Sequence, residues 1–161
     1  MSYNSKKTMA GIAAGIVLII GYIIYALGEK APAAGQLKSW ATAMLVFIGI
    51  SVVVMIIIQI LFHIGFAIGI AIREGERDDK NLRRIFNSET VEDERDKAIG
   101  LRSDRIGQII GGAGFIVALI SLVAGASAIC ALHIIFGSFA IGSVAGGVAS
   151  IYHYERGVRN G

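Results

Sequence analysis

The chain has one cysteine, Cys130, and one proline, Pro32, among 161 residues. A lone cysteine excludes an intrachain disulfide and any Cys-x-x-Cys metal or redox motif. There is no phosphate-binding Gly-x-x-x-x-Gly-Lys loop and no Ser/His/Asp set. No catalytic constellation stands out, so the chain is not expected to be an enzyme, and neither a metal nor a cofactor is expected beyond bound lipid.

The absence of charge from long stretches says more. Asp, Glu, Lys and Arg are missing from Thr8–Gly28, from Ser39–Ile72 and from Ile106–Tyr154. Charged residues make up 17% of the chain, against about 25% in ordinary soluble domains. Hydrophobic residues make up 55%, and the mean hydropathy is +0.68. A charge in hydrocarbon costs several kcal/mol, so confinement of charge to the gaps between apolar runs predicts a chain embedded in a bilayer. The net charge of +3 comes from lysines and arginines flanking those runs, which argues against a nucleic-acid partner.

Run lengths predict an all-α, single-domain bundle of four transmembrane helices spanning 1–161. The first span is Met9–Leu27, whose 19 residues exceed the apolar core of a signal peptide, about 7–15. The second is Trp40–Ile72, at 33 residues longer than a bilayer needs, so tilting, breaking near Gly65 and Gly69, or emergence into water are all open to it. Ile106–Tyr154 is long enough for two spans, about Ile106–Ala124 and Ala128–Tyr154, with the turn at Gly125-Ala126-Ser127.

Orientation follows from counting basic residues. Lys6, Lys7, nine residues of the polar loop Arg73–Arg105, Arg156 and Arg159 give thirteen on one side, against Lys30 and Lys38 on the other. The positive-inside rule puts the side with thirteen in the cytoplasm, with both termini and the polar loop. Trp40, Tyr22 and Tyr25 then fall near the outer interface, Tyr152 and Tyr154 near the inner one. Within the loop, Ser88–Arg105 reads as a helix running into span three, capped by Ser88 or Thr90, with Glu89, Glu92, Asp93 and Glu94 in its first turns.

Glycine is abundant, at 21 residues. Each span carries a Gly-x-x-x-Gly pair: Gly11/Gly15, Gly65/Gly69, Gly107/Gly111 and Gly142/Gly146. Small residues four apart make a flat strip on which helix backbones approach closely, and this matters in lipid because hydrophobicity there does not drive helices together. Packing within one subunit is the expected role for most strips, with self-association through at least one. Gly11/Gly15 and Gly107/Gly111 each follow a short basic stretch with Ser, and Gly75-Glu76-Arg77 echoes Gly157-Val158-Arg159, a pattern that a duplicated hairpin or biased composition would both produce.

Polar residues inside spans are functional candidates. Gln59 and His63 are four apart on one face of span two and, with Ser51, form a candidate polar path. Cys130 and His133 are three apart in span four. Depth along the helices puts His63 and His133 near opposite faces of the membrane, so they are not expected to share a metal or haem. The expected role for each is an interhelical hydrogen bond.

The most distinctive local sequence is Glu92-Asp93-Glu94-Arg95-Asp96-Lys97. Its mixed charge reads as a solvated, salt-bridged helix at the membrane surface; Glu92 and Asp96 could share a cation, but Arg95, Lys97 and Arg102 neutralise them without one. Asp93, Glu94, Arg95, Asp96 and Arg102 are the candidate docking residues. The stretch Asp93-Glu94-Arg95-Asp96, followed by Ile99 and Arg102 and leading through Arg105-Ile106-Gly107 into a span, resembles a motif of uncharacterised small integral membrane proteins of prokaryotes. In that family a D-E-R-D-like cytoplasmic helix precedes a two-span hairpin. The resemblance covers the last 70 or so residues and implies a prokaryotic inner membrane, with no activity attached.

The sequence therefore leads to a non-catalytic membrane protein that works by assembly, as a homo-oligomer or an accessory subunit of a larger membrane complex. The alternative is an oligomeric channel or transporter lined by span two. Ion-coupled transport is disfavoured because no span carries Asp or Glu.

Overall fold

The computed structural model describes residues 3–74 and 94–156. The described residues form four helices and no strand: α1 (Tyr3–Leu27), α2 (Leu37–Glu74), α3 (Glu94–Val123) and α4 (Ala128–Arg156). Each contains a stretch long and apolar enough to cross a membrane. Only helices that satisfy their own backbone groups are stable as single segments in hydrocarbon, which is why apolar runs of this length fold this way. The chain is thus a multi-pass membrane protein by the length and composition of its helices.

The helices are longer than the uncharged runs. α3 has 30 residues, about 45 Å at 1.5 Å per residue. A hydrocarbon core is about 30 Å thick, so roughly its first ten residues project beyond it. Those residues, Glu94–Ser103, include Glu94, Arg95, Asp96, Lys97 and Arg102. The expected surface helix and span three are therefore one continuous rod. Ser88, Glu89, Thr90, Glu92 and Asp93 lie outside the described residues, as do Gly75–Arg77 and Gly157–Arg159. α2, at 38 residues, runs through Gly65 and Gly69 without interruption, so the break left open by the sequence does not occur there.

α4 is the centre of the bundle. It packs most closely against α3, then α1, and least against α2. The α3/α4 contact is built on glycine. A Cβ on Gly142 would stand 2.6 Å from the Gly107 carbonyl oxygen, and one on Gly107 would stand 3.0 Å from the Gly142 oxygen. Gly146 approaches the Ser103 carbonyl in the same way, at 3.0 Å. Further along, Gly111 lies under the Phe139 ring and Gly114 under the Ser138 side chain. No side chain larger than hydrogen fits where these backbones meet. Gly147, next to Gly146 and about 100° around the helix, receives Ile12 of α1 instead. Two adjacent glycines thus serve two different neighbours.

The turn between α3 and α4 is closed by its own hydrogen bonds. The Ala126 amide donates to the Ser121 carbonyl (2.9 Å) and the Gly125 amide to the Leu122 carbonyl (3.0 Å). This is the Schellman pattern, which needs a left-handed residue after the helix, and Gly125 supplies it at φ 88°. Ser127 then caps α4, its hydroxyl accepting the Cys130 amide at 3.2 Å.

α2 stands apart. The most apolar window of its span, Leu37–Gly65, has 0% of its residues buried. Its firm contacts are at the first turns, where Trp40 and Met44 are buried.

Candidate functional site

Because α2 packs loosely, a crevice opens between it, α1, α4 and the N-terminal half of α3. It consists of two adjoining chambers. One, of about 650 Å³, has walls that include Leu18, Met44, Phe47, Leu132, Phe136 and Phe139. The other, of about 710 Å³, is lined among others by Lys7, Gln59, Ser103, Asp104, Ser150 and Tyr154. The two share Gly15, Leu18, Ser51, Ser143 and Val144. The first chamber lies toward the α1–α2 loop, and the second toward the N-terminal end of α1. The crevice is thus apolar in one half and mixed polar and apolar in the other, and the change falls at Ser51 and Ser143.

Of the candidate polar path, Ser51 and Gln59 lie on this wall. His63, one turn beyond Gln59, is exposed on α2 and does not line it. The Ser51 hydroxyl donates to the Ile48 carbonyl of its own helix, at 2.7 Å. Thr42, Ser121 and Ser138 also turn back on the preceding turn, donating to Lys38, Ala118 and Ile135. In hydrocarbon this is how a hydroxyl satisfies itself locally. Ser103 does not follow the pattern. It is 3% exposed, lines the polar chamber, and its Oγ has no hydrogen-bond partner. A buried polar atom left without a partner calls for a physical reason.

At the opposite end of the bundle, Tyr22, Trp40 and His133 converge from the last turns of α1 and the first turns of α2 and α4. The Trp40 and His133 rings are 4.6 Å apart, edge to face. Tyr22 stacks against Phe136 at 4.4 Å and meets Phe47 edge-on at 5.2 Å. Such pairs add about 0.5–1.5 kcal/mol each beyond area burial. His133 makes no interhelical hydrogen bond of the kind expected from sequence. Its Nδ1 lies 2.8 Å from the Ile129 carbonyl of its own helix. A carbonyl only accepts, so Nδ1 is the donor in this contact. The Tyr22 hydroxyl and Trp40 Nε1 are buried without a partner. Neighbouring turns on three helices form this cluster, and only the interfacial positions of Trp40 and Tyr22 hinted at it. Cys130 is exposed. No group of three or more His, Cys, Asp or Glu residues gathers among the described residues.

The glycine strips separate by environment. Gly107, Gly111, Gly142 and Gly146 sit at close backbone or ring approaches. Gly11 and Gly15 make ordinary contact, with Met55 at 3.5 Å and Val144 at 3.9 Å. Gly65 and Gly69 meet nothing within 4 Å among the described residues. Of the docking candidates, Glu94, Arg95 and Arg102 are exposed and Asp96 half-buried, while Ile99 and Ser103 of the same helix turn into the bundle. Asp93 lies outside the described residues.

Comparison with family models, with curated proteins and with solved structures finds no match.

Proposed function

We propose that the chain is a non-catalytic integral membrane protein that works by assembly, and that α2 is the helix that meets the partner. The observation supporting this is the contrast between strips of equal spacing. The α3 and α4 glycines are used up inside the chain, whereas Gly65 and Gly69 meet nothing within 4 Å among the described residues, on a helix whose most apolar window has 0% of its residues buried. A second copy of this chain, or a larger membrane complex, would cover that face. The exposed charges of α3, Glu94, Arg95 and Arg102, offer a docking surface outside the hydrocarbon. On the positive-inside count this surface and both termini are cytoplasmic, and the D-E-R-D resemblance favours a prokaryotic inner membrane.

The test is the mass of the complex in nanodiscs, with all co-purifying proteins identified. Gly65→Ile/Gly69→Ile should abolish the oligomer or release the co-purifying subunit while the fold is kept. A wild-type protein that is monomeric and alone at bilayer densities would sink the reading. The channel reading draws on one observation, that Ser51 and Gln59 share a cavity wall. The apolar lining of the other chamber weighs against it, since a water-filled path would have to continue past Phe47, Phe136 and Phe139.

A further inference from the structure

We infer that the two-chamber crevice seats one membrane phospholipid with a phosphoethanolamine headgroup, taken from the leaflet on the side of the helix ends that carry Lys7 and Asp104. Its shape and chemistry are those of an amphiphile. The residues lining the polar chamber include a cation and an anion, Lys7 of α1 and Asp104 of α3. A phosphoethanolamine presents the matching pair, a phosphate for the Lys7 ammonium and an ammonium for the Asp104 carboxylate. A phosphoglycerol would satisfy Lys7 and leave its phosphate facing Asp104 with no cation to offer. Ser103 adds the second observation. Ser103 lines the same chamber, and its Oγ is buried without a partner among the described residues, so a rotation of the side chain toward the chamber would let it donate to a phosphate oxygen without displacing a bond inside the protein.

The apolar chamber takes an acyl chain. From Lys7 to Ile19, the deepest α1 residue on its wall, is about 18 Å along the helix. Half of a hydrocarbon core is about 15 Å. On α2 and α4 the lining runs further, from Gln59 to Ala41 and from Tyr154 to Leu132, about 27 and 33 Å along the helices, so the apolar chamber reaches past the bilayer midplane. Each chamber, at about 650 and 710 Å³, falls in the range of about 300–1,000 Å³ usual for small-ligand sites. The inference does not rest on assembly through α2, because the lining faces α1 and α4 whereas Gly65 and Gly69 are open.

The experiment is native mass spectrometry of the full chain from nanodiscs made of equal parts phosphatidylethanolamine and phosphatidylglycerol with matched acyl chains. One phosphatidylethanolamine per chain should be retained, enriched several-fold over the bath. Ala140→Trp fills the apolar chamber and should reduce retention by roughly ten-fold or more. Asp104→Asn leaves the chamber open and should shift the headgroup preference toward phosphatidylglycerol by roughly two- to five-fold, the effect of one partly exposed charge pair. Lys7→Gln should weaken retention of both lipids. Because Asp104 is exposed, that variant keeps the test valid if Ala140→Trp fails to fold. Retained lipid that mirrors the bath in wild type and variants alike would overturn the inference. So would a wild-type preference for phosphatidylglycerol, or an ion flux across vesicles that Ala140→Trp abolishes.

Discussion

The two hairpins of this protein are built from similar material and packed in opposite ways. Each is a pair of apolar helices with a Gly-x-x-x-Gly strip on both members. In α3/α4 the strips meet, and the Gly107 and Gly142 backbones almost touch. In α1/α2 they do not. Gly11 reaches only the flexible end of Met55, and Gly65 and Gly69 meet nothing among the described residues. The connections differ too. Ala124–Ser127 is a hydrogen-bonded turn that fixes α3 against α4, whereas α1 and α2 are joined by the longer loop 28–36 around Pro32. A short turn with a left-handed glycine holds two helices antiparallel in a single register. A longer loop holds the second helix less tightly, and here α2 packs loosely against α1 and α4 with the crevice along it. If the hairpins arose by duplication, only one has kept a tight interface.

Substitutions at the glycines probe that contrast, in falling order of effect. Gly142→Leu forces a side chain into the Gly107 backbone, which cannot move aside. It should destabilise the fold by about 3 kcal/mol or more, at or above the usual cost of overpacking, as read by steric-trap unfolding in bicelles. A loss under about 1 kcal/mol would mean that the two backbones are not in contact. Gly65→Ile/Gly69→Ile should leave unfolding unchanged and act only on association, the reverse of Gly142→Leu. Gly111→Ala meets the Phe139 ring at 3.0 Å, and a ring can tilt, so a cost of about 1 kcal/mol is expected. Gly15→Ala, with its nearest atom at 3.9 Å, should fall within about 0.5 kcal/mol of wild type. Should Gly15→Ala cost as much as Gly111→Ala, the two hairpins would be packed alike and the contrast would fail.

The aromatic cluster offers a smaller test. Tyr22→Phe removes a buried hydroxyl that has no partner and keeps the ring against Phe136. Removing an unsatisfied group should be neutral or stabilising by up to about 1 kcal/mol. A clear loss would show that the hydroxyl bonds a water or ligand.

Four spans can be read from the sequence because exclusion of charge from hydrocarbon acts on each segment alone, whatever its neighbours do. The close approach at Gly107 and Gly142 lies on strips visible as spacing. Spacing could not distinguish those strips from Gly65/Gly69, because the pattern shows that a helix has a flat face and not which helix covers it. Gly114 and Gly147 escaped notice for a related reason. They extend the interfaces at steps of three and one, outside the four-residue motif. An interhelical hydrogen bond is the sequence's expectation for His133, yet its Nδ1 bonds the Ile129 carbonyl one turn back on its own helix. The crevice is not legible in the sequence, since it depends on how loosely α2 packs against α1 and α4.

The tight turn at Gly125 bears on how the chain enters a bilayer. From Ile106 to Tyr154 there is no formal charge, and the few residues at the turn bond back onto α3. Nothing between α3 and α4 is polar enough to halt at a membrane surface as a separate loop. The two helices are therefore suited to partition into a bilayer as one insertion unit rather than as two separate spans.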